Sequence, residues 1–161
     1  MVTLFEYNWQ VRDEWFSWCK QLSIEDLMKK RVGGVGSIFH TFIHIIDVEF
    51  SWIRAITGAA DIEIDGNDFN NLTEVISFSD EYRMEIKQFL HTWSDQMENE
   101  KVKASWVNET YTKGEILRHI IAHEIHHIGQ LSIWAREIGL KPISPNFIGR
   151  NLITVHKNQI K

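Results

Sequence analysis

With a single cysteine, Cys19, the chain can form no internal disulfide, and any stability must come from packing. Two prolines, Pro142 and Pro145, both fall near the C-terminal end, so the rest of the chain is free to form long helices. No apolar run reaches the ~18 residues that a membrane span requires. The opening MVTLFEYNWQ has neither the basic stretch nor the apolar run of a secretory signal. A reducing, cytoplasmic location is therefore expected. There is also no excess of positive charge: 17 Lys and Arg face 22 Asp and Glu, for a net charge of −5. The one basic cluster, Lys29–Lys30–Arg31, is short, and nucleic acid is excluded as the expected partner.

The sequence does have aromatic bulk. Seven Trp and nine Phe among 161 residues are enough to build a packed core in one domain, read here as spanning 1–161. Apolar residues recur at helical spacing over 4–22, through Leu4, Val11, Trp15, Trp18 and Leu22. Ser23 is placed to cap a short piece, Ile24–Lys30, and Gly33, Gly34 and Gly36 then break the chain in a flexible turn. A second long helix is expected from Ser37 to Ile56. It is apolar on two faces, so it is either central to the fold or shared with a second subunit. Residues 57–78 read as a long loop, with a third helix starting at Ser79. An alternation around Trp106 allows a small hairpin. Thr112 and Glu115 form a T-x-x-E capping box for a fourth helix ending at Ile138, where Gly139 and Pro142 stop it. Four long helices predict an all-α four-helix bundle. The loop between the second and third is long enough to cross the bundle, giving an up-down-down-up order.

Six of the eight histidines lie on the second and fourth helices: His40, His44, His119, His123, His126 and His127. At about 100° per residue, His123 and His127 fall inside the apolar stripe of the fourth helix, marked by Ile116, Ile120, Leu131 and Trp134. Each buried imidazole needs partners for a donor and an acceptor, and two at i and i+4 offer two nitrogens to one ion. His44 borders the apolar stripe of the second helix and is the expected third ligand, whereas His40 lies further towards the polar side. Imidazole ligands suit Zn²⁺, Ni²⁺, Fe²⁺ or Cu²⁺. Three protein ligands leave positions open for a substrate, the catalytic rather than the structural pattern. His119 and His126 either border the site or lie on the surface.

His123-Glu124-Ile125-His126-His127 also spells H-E-x-x-H, in which the Glu activates water for a zinc peptidase. The longer form of that motif would need a histidine where Ile133 stands, and no substrate-binding sheet is expected. Glu124 remains a candidate base for a smaller substrate, or a solvent-facing helix residue. Cys19, among aromatics on the first helix, reads as core.

Tyr7-Asn8-Trp9, Gly36-Ser37-Ile38, His44 followed by Glu49 and Trp52, and His119-x-x-x-His123-x-x-His126-His127-x-Gly129-Gln130 together resemble the DinB family of damage-inducible proteins, over about residues 4–140. The resemblance implies a DinB-like four-helix bundle, usually a homodimer, with a three-histidine metal site. Position by position it implies the same ligands, His44, His123 and His127. Its wider superfamily resembles metal-dependent enzymes of low-molecular-weight thiols, such as bacillithiol transferases and mycothiol-dependent isomerases. The expected function is therefore a divalent-metal enzyme acting on a small molecule by thiol S-transfer. A metal-dependent hydrolase using Glu124, and a non-enzymatic metal-binding stress protein, are the alternatives.

Overall fold

A computed structural model of the chain describes residues 1–153, so the last eight positions of the single domain expected over 1–161 lie outside the described residues. Among the described residues there are five α-helices: α1 (Val2–Cys19), α2 (Ile24–Met28), α3 (Ile38–Thr57), α4 (Leu72–Thr92) and α5 (Lys113–Glu137). Two short strands, β1 (Lys101–Val102) and β2 (Tyr111–Thr112), pair antiparallel as the small hairpin expected around Trp106.

The four long helices form the bundle. Phe50 of α3 stacks on Tyr82 of α4 with ring centroids 3.6 Å apart, and Arg54 pairs with Glu85 at 3.1 Å, so α3 and α4 ascend in step and run parallel. Phe16, late in α1, meets Phe42, early in α3, so α1 opposes α3. Asn8 and Arg12 of α1 reach Ile121 and Glu124 of α5 in matching order, so α1 and α5 run the same way. The order is up-down-down-up, as the length of the crossover suggested.

Local signals explain the boundaries. Ser37 Oγ accepts the His40 amide and starts α3. Thr112 and Glu115 close the capping box of α5, with contacts of 2.8 and 3.2 Å. At the other end Gly139 turns left-handed at φ 78°, and Leu140 N–H bonds Ala135 O. The start of α4 corrects the expectation of a loop through residue 78. Asn71 Oδ1 takes the Glu74 amide at 3.0 Å while the Glu74 carboxylate takes the Asn70 amide at 2.7 Å, and the helix begins at Leu72, not Ser79. Helix α1 stops at Cys19, short of Leu22. Beyond Leu140 the chain folds back along α1, where Pro145 O accepts the Tyr7 hydroxyl and Arg150 pairs with Glu14.

The core comes in two apolar clusters. One gathers Trp15, Phe16, Phe39, Phe42, Leu131 and Trp134; the other gathers Phe5, Trp9, Ile53, Ile86 and Leu117. Between them, at mid-height, lies a buried polar layer of Arg12, Glu49, Ser79 and Glu124, one from each long helix. Helix α3 buries most of its circumference because it packs on both α4 and α5 within one chain, which by itself accounts for its two apolar faces. Among the described residues, no helix is long and apolar enough to cross a membrane.

Candidate metal centre

The outer face of α3 and the facing stripe of α5 bring three imidazoles together at mid-bundle. His123 Nε2 lies 3.0 Å from His44 Nε2 and 3.1 Å from His127 Nε2. All three nitrogens fall within 4.8 Å of one another, and among the described residues this is the one group with ligand spacing. His127 is buried, while His44 and His123 are partly exposed.

The protonation pattern follows from Gln130, one turn beyond His126. Its carbonyl Oε1 lies 2.8 Å from His127 Nδ1 and can only accept, so Nδ1 carries the proton and Nε2 presents its lone pair. Its amide nitrogen lies 2.9 Å from His126 Nε2, which therefore accepts. Burial lowers all three imidazoles, helped by neighbouring histidines at His44 and His123 and opposed by the Gln130 bond at His127: His44 and His127 fall below the usual 6.5, and His123 falls to about 3. The trio is neutral at pH 7. One proton can complete only one of the two close contacts at His123 Nε2, whereas a cation among the three nitrogens completes both. Nitrogens ~2.0–2.1 Å from one ion stand about 3 Å from one another, so the observed spacing fits a first-row divalent ion.

The Gly33–Gly36 turn belongs to this site. Gly34 sits at φ 55°, and a Cβ there would collide with Gln130 Oε1 and press on Trp134. Trp134 Nε1–H in turn bonds Val32 O at 3.2 Å. The turn read as merely flexible is pinned against α5, and its missing side chain makes room for the residue that orients His127.

The other three histidines of α3 and α5 do not share the trio's ligand spacing. His40 Nδ1 lies 2.8 Å from Ser37 Oγ at the start of α3. His119 is exposed, with its ring 5.6 Å from His123 and 6.0 Å from Trp52. His126 is exposed and held by Gln130.

Glu124 points into the core. Arg12 Nε and Nη2 donate to its two oxygens at 2.8 and 2.6 Å, and the same Nη2 donates to Glu49 at 2.8 Å. Trp9 Nε1–H donates to the other Glu49 oxygen at 2.8 Å. Burial raises Glu49, with Arg12 acting against it; burial works against the Arg12 charge, but the two carboxylates hold it firmly protonated. Sequence reasoning missed Arg12 altogether. Its signal was a charge on the α1 stripe, one turn from Asn8 and flanked by Trp9 and Trp15. Cys19 is fully buried, as expected for a core residue, and burial pushes its thiol up to about 12.

Comparison with known proteins agrees with the fold. YizA of Bacillus subtilis (strain 168), described as an uncharacterized protein, is 56% identical over 157 residues, covering 97% of this chain and 99% of its own. The solved structure of YfiT from Bacillus subtilis, described as a probable metal-dependent hydrolase with an unusual four-helix bundle topology, superposes with a TM-score of 0.61 at 18% identity. That match covers 86% of this chain and 89% of YfiT. The DinB family profile matches residues 1–154, and the chain belongs to the DinB family.

Proposed function

We propose that the chain is a divalent-metal-dependent enzyme acting on a small molecule, and that its reaction is the transfer of a low-molecular-weight thiol to an electrophile. The observation that carries this reading is the convergence of three neutral imidazole Nε2 atoms at 3.0 and 3.1 Å, with two of the rings partly open to solvent. His44, His123 and His127 would hold one ion, with Zn²⁺, Ni²⁺ and Fe²⁺ as the candidates. Such an ion favours the thiolate over the thiol and so supplies a nucleophile at neutral pH. In such a transfer a sulfur–carbon bond would replace the bond to the leaving group, and the thiol proton would go to solvent or to the leaving group.

The chain's own part is orientation. Gln130 fixes the His127 tautomer, and the Gly33–Gly36 turn fixes Gln130. Glu124 is engaged by Arg12 on both oxygens, which favours a reaction that needs no carboxylate base. Cys19 is too deeply buried to serve as a nucleophile. A homodimer and a cytoplasmic location complete the proposal.

A second reading, metal-dependent hydrolysis, draws support from the likeness to YfiT. It requires Glu124 to leave Arg12 and take a proton from the attacking water. In folded, metal-loaded Glu124→Gln protein, hydrolysis of this kind would be abolished.

Metal content by mass spectrometry on the wild type and on a His123→Ala/His127→Ala variant tests the centre. About one ion per chain, absent from the variant, is expected. No uptake of Zn²⁺, Ni²⁺ or Fe²⁺ would overturn the enzyme reading. Metal-loaded protein without turnover of common cellular thiols and electrophiles would overturn thiol transfer.

A further inference from the structure

Two clefts meet at Trp52, two turns of α3 beyond His44. One, of about 240 Å³, lies between α3 and α5 and is walled by Trp52, Tyr111, Ile116 and His119. The other, also about 240 Å³, is bounded by Asp47 and Ser51 of α3, by Asp61 and Glu63 of the α3–α4 connection, and by Trp106 of the hairpin. Trp52 meets Trp106 edge-on with ring centroids 5.2 Å apart, and Tyr111 at 6.0 Å. The aromatic wall is thus continuous from one cleft to the other.

The charge on this wall is of one sign. Asp47, Asp61 and Glu63 line the second cleft, and neither cleft is lined by a lysine or arginine. Burial raises the Asp47 carboxyl, and the Asp61 carboxylate raises it further; Ser51 Oγ–H donates to it at 3.3 Å. Among the described residues these carboxylates do not close to the spacing of a metal site. Carboxylates that share a cleft with two tryptophans, and that do not group at metal-ligand spacing, match an organic cation, which gains from both the charge and the ring quadrupoles.

The clefts share the helix face of the candidate metal centre. Val48 and Trp52 follow His44 at one and two turns of α3, ~6 and ~12 Å along the axis. His119 precedes His123 by one turn of α5.

We propose that the Trp52–Trp106 cleft binds the ammonium end of a small organic cation whose other end reaches the three histidines. This deepens the proposed function and, as a statement about that enzyme's substrate, rests on it. The acidic wall sets the charge of the substrate, the indoles hold its head, and the distance along α3 sets its length.

Calorimetric titration of the full chain, metal-loaded and metal-free, with 2-phenylethylamine, 2-phenylethanol and 3-phenylpropionate tests the cleft. The amine is expected to bind about tenfold tighter than the alcohol, and the acid weakest. In an Asp61→Asn/Glu63→Gln variant, whose substitutions lie on an exposed connection, the preference should shrink to about twofold with the melting temperature unchanged. Trp106→Ala should weaken amine and alcohol together. Equal affinity for amine and alcohol, binding of neither, or a preference that survives in the double variant would overturn the proposal. Amine preference in protein that takes up no metal would uphold the cleft and overturn the metal reading; metal uptake without amine preference would do the reverse.

Discussion

Arg12 of α1 grips both carboxylate oxygens of Glu124 on α5, at 2.8 and 2.6 Å, in the dry centre of the bundle. Glu124 is the neighbour of His123 in the chain, so the pair holds the backbone that presents a candidate ligand. Replacing Arg12 by Met leaves two buried carboxylates with no counter-charge. The expected cost is about 3–5 kcal/mol of stability, read by urea denaturation. A loss under about 1 kcal/mol would mean that the layer relaxes or hydrates freely.

Gln130 should matter to metal affinity without touching the ion. A Gln130→Leu change removes the acceptor for His127 Nδ1 and frees the imidazole tautomer. About 10–100-fold weaker metal binding is expected by competition with a chelator, with the helical circular dichroism unchanged. Wild-type affinity would show that packing alone orients His127.

Gly34 and Gly33 make a matched pair. Both have positive φ, at 55° and 86°, but only at Gly34 would a Cβ meet Gln130. Alanine at either position should cost about 1–2 kcal/mol of backbone strain. Only Gly34→Ala should also weaken metal binding, because only there must Gln130 move. Equal effects on metal binding would remove the turn from the site.

Much of this was legible in the sequence, and its gaps share a cause. The helix count, the capping box at Thr112 and the placing of His44 rather than His40 close to His123 and His127 follow from periodicity and local chemistry. The first turns of α4 were missed because Asn70, Asn71 and the acidic residues around them read as loop. Asn71 there caps the helix, and Glu74 answers it from within the first turn. Arg12 was missed because apolar periodicity weighs only apolar residues, and a buried arginine becomes visible only once two helices supply its carboxylates. Gln130 could be quoted as part of a motif, but its role depends on a turn nearly a hundred positions earlier in the chain.

The metal-free protein should lose stability in acid through its histidines. Burial lowers His44, His127 and, to about 3, His123, from an ordinary 6.5. Above pH 6.5 these groups are neutral folded or unfolded and contribute no pH dependence. As the pH falls from 6.5 towards about 3, the unfolded chain takes up protons that the folded chain resists, and stability declines. Melting temperatures of metal-free wild type and His123→Gln between about pH 7 and 4.5 check this: the wild type should fall more steeply. Parallel slopes would contradict it.

Cys19 should be silent in the native state. With its thiol pushed up to about 12 and fully buried, it should not react with a disulfide reagent at pH 8 until the chain unfolds. Rapid native labelling would place it at an opening in the core.

The polar layer at mid-height also bears on how an ion could be acquired. Two greasy halves alone would tolerate a slip of one helix by a turn, with leucine and isoleucine trading places. A charged storey between them admits one vertical alignment, since any slip strands Glu124 or Glu49 against hydrocarbon. The height of α5 against α3 is therefore settled by ion pairing on the inner face before anything binds on the outer one. On the proposed function, His44, His123 and His127 would stand as a finished seat, and an arriving ion would have to organise little more than itself.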